Sequence, residues 1–105
     1  MERLSFEFDA QRPAGGTARQ AIVGIVASGN LEVLLQRTLT AHCCLFEVAT
    51  PAMGFEATWR AVLGDFVARR ETGGLRFSIN DCGARPDVVA LRLAQGLRLL
   101  DGPLR

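Results

Sequence analysis

The sequence predicts an α+β fold, a single two-layer sandwich of about five mainly antiparallel strands with two helices on one face. Five short segments either alternate apolar and polar residues or are apolar throughout, as β-strands require. Two longer segments repeat apolar residues at helical spacing instead. The chain has 105 residues, which is enough for one hydrophobic core, so we expect a single domain over residues 1–105.

Four strands are predicted before the first helix. Residues 4–9 alternate, residues 21–27 are apolar as in a strand covered on both faces, and residues 31–37 resume after a turn. The turn consists of three turn-forming residues at 28–30, which favours a tight hairpin. A fourth strand is expected over residues 41–49. Four strands in succession predict a meander.

Two helices are predicted, one on each side of a fifth strand at residues 75–79. The first begins at Phe55 and is stopped by Gly73 and Gly74. The second begins at Pro86, which suits the first turn of a helix. The element order is therefore ββββαβα. The residues predicted to face the sheet are Trp59, Val62, Leu63, Phe66, Val67, Val89, Leu93, Leu97 and Leu100.

The charge composition argues against nucleic acid or a membrane as a partner. Twelve basic residues, all of them arginine, stand against eleven acidic ones and give a net charge of +1. Such a balance produces no strong electrostatic field. The absence of lysine reflects either a codon bias or a surface suited to bidentate contacts with anions. No segment is long and apolar enough to span a membrane.

The cysteines indicate a reduced, cytoplasmic protein. Cys43, Cys44 and Cys82 are too few and too poorly spaced for a disulfide framework. Because Cys43 and Cys44 are neighbours on a predicted strand, they should point to opposite faces of the sheet.

Catalytic signatures are weak along the chain. His42 is placed beside Cys43 on a predicted strand, where adjacent side chains face opposite ways and cannot form a dyad easily. Ser28 lacks the first glycine of a nucleophile elbow and the helix that follows one. No spacing of cysteine or histidine suits a metal. Asp81, next to Asn80, forms either a polar site or the cap of a strand-to-helix turn.

Two separated segments resemble one known family. Residues 27–35 read Ala-Ser-Gly-Asn-Leu-Glu-Val-Leu-Leu, and residues 79–93 read Ile-Asn-Asp-Cys-Gly-Ala-Arg-Pro-Asp-Val-Val-Ala-Leu-Arg-Leu. With the opening strand, they are similar to the malonate decarboxylase delta subunit, the acyl carrier protein of that complex. The resemblance runs from about Leu4 to Leu100. Ala27 replaces the family's usual glycine, and Asn30 replaces an aspartate.

This resemblance implies a non-catalytic carrier. Ser28 would carry a 2'-(5''-phosphoribosyl)-3'-dephospho-coenzyme A group through a phosphodiester, installed by a dedicated prosthetic-group transferase. Gly29 and Asn30 would form the turn and contribute to its recognition. The thiol of the group would hold acetyl and malonyl as thioesters. The implied partners are an acyl-CoA transferase subunit and the decarboxylase subunits.

Two other functions remain open from the residues. The gamma chain of citrate lyase carries the same prosthetic group, so a carrier of that type would keep Ser28 as the attachment site. An unmodified interaction module is the second alternative, with Ser28 serving only as a turn former.

A cation is expected near the attached phosphates. Arg85 follows the fifth strand and opens the second helix, so with Asp81 it could offer a surface suited to phosphate near Ser28. Arg37 and Arg19 should lie at the other end of the sheet. We therefore expect Arg85 to affect modification of Ser28 more than Arg37 does.

Overall fold

The computed structural model describes residues 1–101. The strands are β1 (Glu2–Asp9), β2 (Gln20–Gly24), β3 (Asn30–Arg37), β4 (Cys43–Thr50) and β5 (Leu75–Cys82), and the helices are α1 (Glu56–Arg69) and α2 (Pro86–Leu100). The predicted fold class and element order are confirmed. The last part of the predicted domain, residues 102–105, lies outside the described residues.

The order of strands in the sheet is β1-β4-β5-β3-β2, so the predicted meander is wrong. Only β4 and β5 pair in parallel, and the other neighbours are antiparallel. The reason is α1, which carries the chain across the sheet and returns it as β5 alongside β4, the connection that parallel strands need. The returning β5 separates β3 from β4 and becomes the central strand.

One face of the sheet packs against both helices and forms the core. Phe46 and Phe77 from the neighbouring strands β4 and β5 stack with ring centroids 4.3 Å apart, and Phe66 of α1 meets Phe77 edge-on. Fully burying one such side chain stabilises the fold by about 1.5–3 kcal/mol. The helix residues predicted to face the sheet are all buried or partly buried against this cluster: Trp59, Val62, Leu63, Phe66, Val67, Val89, Leu93, Leu97 and Leu100.

The second strand differs most from its prediction. β2 is the edge of the sheet and ends at Gly24, whereas residues 21–27 were expected to form a strand covered on both faces. Ile22, Ile25 and Val26 are all more than half exposed. A run of β-branched residues indicates a strand, but their apolar character does not reveal whether a neighbour covers them.

The end of α1 and the length of β5 also differ from prediction. α1 ends at Arg69, and Arg70 is already extended, with φ −130° and ψ 161°. Gly73 is instead a buried loop residue, whose N–H donates to the carbonyl of Arg12. β5 continues to Cys82 because its last residues pair with the start of β3. Neither helix within residues 1–101 has the length and apolarity to cross a membrane.

Candidate functional site

A β-turn lies between β2 and β3 at one end of the sheet. The N–H of Asn30 donates to the carbonyl of Ala27 at 2.9 Å, which leaves Ser28 and Gly29 at the two central positions. Gly29 has φ +77°, while Ser28 keeps a negative φ, the pattern of a type II turn. Nothing lies within 4 Å of where a side chain on Gly29 would begin. The backbone conformation, and not crowding, therefore requires glycine there.

Main-chain bonds fix this turn to the central strand. The N–H of Gly29 donates to the carbonyl of Cys82 at 2.8 Å, and Asn30 pairs with Gly83 just beyond β5. On the other side, the N–H of Ile25 donates to the carbonyl of Leu31 at 3.1 Å. The turn is therefore anchored from both the hairpin and β5, although it lies at the tip of an edge hairpin.

Gly24 allows the hairpin to close. It has φ +84°, and a Cβ atom built on it would lie 2.0 Å from the carbonyl oxygen of Leu31. No other residue type can occupy this position without a movement of the backbone. The close approach determines where β2 ends and where the loop that presents Ser28 begins.

Ser28 is exposed, and its hydroxyl makes no hydrogen bond within residues 1–101. His42 cannot act on it as a base. That histidine lies in the turn before β4, and not on the strand as predicted, at the end of the sheet where β3 finishes and β5 begins. The eight residues of β5 separate the two ends by about 25 Å at the usual rise of a strand. The described residues thus provide an accessible hydroxyl without an activating histidine.

Asp81 supports the neighbouring β5–α2 connection. It is 7% exposed, and its carboxylate accepts hydrogen bonds from the hydroxyl of Thr50 at 2.8 Å and from the N–H of Ala84 at 2.9 Å. The sequence left two interpretations of Asp81, a polar site or the cap of a strand-to-helix turn, and the observed hydrogen bonds are those of a turn cap. Beside it lies an apolar groove of about 370 Å³, partly lined by Trp59 and Val89.

The arginine that touches the turn is Arg92 of α2. Its Nε donates to the side-chain oxygen of Asn30 at 3.1 Å, and its Nη1 donates to the side-chain oxygen of Gln95 at 2.9 Å. Arg85 follows Gly83 closely in the chain, but its side chain is 82% exposed and pairs with Asp87 at 3.5 Å. Sequence patterns do not single out Arg92, because its contact with Asn30 depends on where α2 lies against β3.

Arg37 has a structural role at the opposite end of β3. Its guanidinium donates to the carbonyls of Ala14, Gly15 and Ala18 at 2.9 to 3.0 Å, which fixes the loop that joins β1 to β2. Its N–H donates to the carbonyl of Arg19. Both arginines therefore lie away from the Ser28 turn, as predicted.

The three cysteines are free thiols. Cys44 is buried and Cys43 half-buried, so the prediction that they face opposite sides of β4 is confirmed. Burial raises the pKa of the Cys44 thiol, and a hydrogen bond from Thr72 offsets part of that rise. Within residues 1–101, no three histidine, cysteine or acidic side chains gather in a way that could hold a metal ion.

The sequence of the whole chain identifies its family. The family model described as the malonate decarboxylase delta subunit matches residues 18–100. The chain belongs to this family. The malonate decarboxylase acyl carrier protein of Bradyrhizobium diazoefficiens is 59% identical over 98 residues, which cover 93% of each chain. That of Xanthomonas euvesicatoria pv. vesicatoria is 51% identical over 102 residues, which cover 97% of each.

A solved structure agrees in fold. One chain in the crystal structure of a Pseudomonas malonate decarboxylase hetero-tetramer in complex with malonate superposes with a TM-score of 0.84 and 38% identity. The match covers 95% of the present chain and 99% of that one. The resemblance seen in the sequence is thus confirmed, and the chain is an acyl carrier subunit of malonate decarboxylase. These matches favour the malonate system over the gamma chain of citrate lyase.

Proposed function

We propose that Ser28 carries a 2'-(5''-phosphoribosyl)-3'-dephospho-coenzyme A group through a phosphodiester. The observation that carries this proposal is the exposed Ser28 hydroxyl at a turn whose backbone is held on both sides. An enzyme that modifies a serine needs the hydroxyl within reach, and a backbone that is already fixed lowers the entropic cost of positioning it. Gly29 shapes that backbone, and Asn30 closes the turn.

The attachment chemistry is consistent with the surroundings of Ser28. Its Oγ would form a bond to the phosphorus of an activated phosphoribosyl donor, while the bond from that phosphorus to its leaving group breaks and the hydroxyl proton is lost. No side chain within residues 1–101 hydrogen-bonds to the Ser28 hydroxyl, so the transferase would supply the base that takes this proton. This division of roles fits a chain that is a substrate of the transferase and a carrier afterwards.

In the assembled complex, the chain would present acyl groups to other subunits. The thiol of the attached group would hold acetyl and malonyl as thioesters, and the carbonyl of the malonyl thioester would accept the charge that develops as carbon dioxide leaves. The proposed partners are an acyl-CoA transferase subunit and the decarboxylase subunits, as well as the prosthetic-group transferase. The solved Pseudomonas relative, a hetero-tetramer, supports the assembly. Tethering at Ser28 would keep the acyl group at a high local concentration near each active site.

The test is the intact mass of the protein purified from its own host during growth on malonate. The wild type should exceed its sequence mass by the mass of the prosthetic group, and the Ser28→Ala variant should not. Ser5→Ala is the matched control, because Ser5 is an equally small, exposed serine on β1. That control should be modified like the wild type.

Folding must be measured alongside the mass. The Ser28→Ala change should alter the free energy of unfolding by less than about 0.5 kcal/mol, as usual for an exposed residue without bonds. An unmodified wild type would contradict the proposal. So would a Ser28→Ala variant that gains the mass at another residue.

A further inference from the structure

We propose that Arg92 is the residue that binds the phosphodiester formed at Ser28. This inference rests on the proposed function, because it assigns a contact to the group attached there. The contact that suggests it is the 3.1 Å hydrogen bond from Nε of Arg92 to the side chain of Asn30, which closes the Ser28 turn. Among residues 1–101, Arg92 is the charged side chain that bonds directly to this turn.

The guanidinium of Arg92 is oriented before any phosphate arrives. Asn30 accepts from Nε and Gln95 accepts from Nη1, so two of the three nitrogens are fixed, and the side chain is half-buried. Nη2 has no hydrogen-bond partner within the described part of the chain. A held guanidinium loses little further rotamer freedom when it binds an anion, which favours binding.

The positive charge of Arg92 is also uncompensated. Its two partners are neutral amides, and none of the ion pairs formed within residues 1–101 includes it. The carboxylate of Asp81 on β5 is buried and already accepts two hydrogen bonds, and Glu32 on β3 lies beside Asn80. A phosphodiester at Ser28 would carry one negative charge, and a guanidinium is well suited to phosphate oxygens.

The other two arginines considered for this role are less suitable. Arg85 is largely exposed, and its guanidinium already lies beside the carboxylate of Asp87. Because solvent screens exposed charges, an ion pair between the Arg85 side chain and a phosphate would contribute little to binding. Arg37 uses all three guanidinium nitrogens on loop carbonyls at the far end of the strand. The structure therefore favours Arg92 over Arg85, the residue that the sequence suggested.

The first test follows the rate of modification. The unmodified protein is incubated with the prosthetic-group transferase and its donor at low ionic strength, and intact mass is recorded over time. Arg92→Ala and Arg92→Gln should be modified about tenfold more slowly than the wild type, the scale of one hydrogen bond to a charged group. Arg92→Lys should recover part of the rate. Arg85→Ala is the matched control on the same side of the domain and should be modified at the wild-type rate.

The second test detects the proposed contact between Arg92 and the phosphodiester by NMR. In ¹H–¹⁵N spectra, the Nε–H signal of Arg92 should shift when wild-type protein becomes modified, and that of Arg85 should stay in place. The backbone spectra of each variant also report whether it folds, so a slow variant with a native spectrum supports the proposal.

The outcomes separate the two proposals. If the wild type never gains mass, the proposed attachment at Ser28 fails, and the role of Arg92 fails with it. If the wild type is modified but Arg92→Ala is equally fast and the Nε–H signal does not move, only the role of Arg92 is overturned. A larger effect of Arg85→Ala than of Arg92→Ala would overturn it as well.

Discussion

Two glycines in the Ser28 hairpin offer a matched pair of substitutions that differ in one respect. Gly24 and Gly29 both have positive φ angles, +84° and +77°, so alanine at either position adopts an unfavourable backbone conformation. That conformation costs about 1–2 kcal/mol, part of which is offset because alanine restricts the unfolded chain. The difference between them is space. Gly29 is open, whereas a Cβ on Gly24 would lie 2.0 Å from the carbonyl oxygen of Leu31.

We therefore expect Gly24→Ala to destabilise the protein much more than Gly29→Ala. Relief of the clash must move the backbone and break the hydrogen bond from Ile25 to Leu31 together with the last pairing of β2. Each such bond contributes about 1 kcal/mol. Gly29→Ala should cost about 1 kcal/mol, and Gly24→Ala about 3 kcal/mol or more.

The assay is urea unfolding followed by tryptophan fluorescence, since the chain has one tryptophan, Trp59. With the usual dependence of about 1–3 kcal/mol per molar urea, a difference of about 2 kcal/mol separates the midpoints by about 1 M. Equal losses of stability in the two variants would contradict this prediction, because the close approach at Gly24 would then have no energetic effect.

Two further changes test the core. Trp59→Ala should lower the free energy of unfolding by about 3 kcal/mol, near the lower end of the range for a large buried ring. The ring is only 6% exposed, but one side of it lines the open groove. Urea unfolding followed by circular dichroism measures this loss. Since burial raises the pKa of the Cys44 thiol, the unfolded chain loses that proton first as the pH rises. Stability should therefore fall above about pH 9 by up to about 1.4 kcal/mol per pH unit. The fall in the free energy of unfolding should be smaller in Cys44→Ala. Urea titrations at several pH values measure it, and an equal fall in the wild type and the variant would contradict the assignment of the raised pKa to Cys44.

Local sequence patterns predicted the strands and helices well, but they did not predict which strands lie next to each other in the sheet. The alternation around Phe6 and the stripe around Leu93 report which side of a strand or helix is apolar, and both side chains are buried. The same patterns hold no information on which strand lies beside which. For this reason the meander was wrong, and the apolar residues near Ile22 seemed to belong to a covered strand.

The same limit applies to the candidate site. The residues that form the turn at Ser28 are adjacent in the chain, so the sequence could show where the turn lies. Arg92 reaches Asn30 across a distance of about sixty residues in the chain, and only the position of α2 on the sheet reveals the contact. The sequence alone could point only to a cation that is close in the chain to the end of β5, such as Arg85.

The hydrogen bond from Gly29 to Cys82 joins parts of the chain that are translated about fifty residues apart. During synthesis, the serine and its hairpin leave the ribosome long before β5 exists. The turn therefore acquires its second anchor only when the chain has crossed over through α1 and inserted β5 at the centre of the sheet. Long-range pairing of this kind forms late in folding, because the entropy of closing the intervening loop must be overcome first. The shape of the turn at Ser28 thus depends on completion of the sheet, so the site is fully formed only in a folded chain.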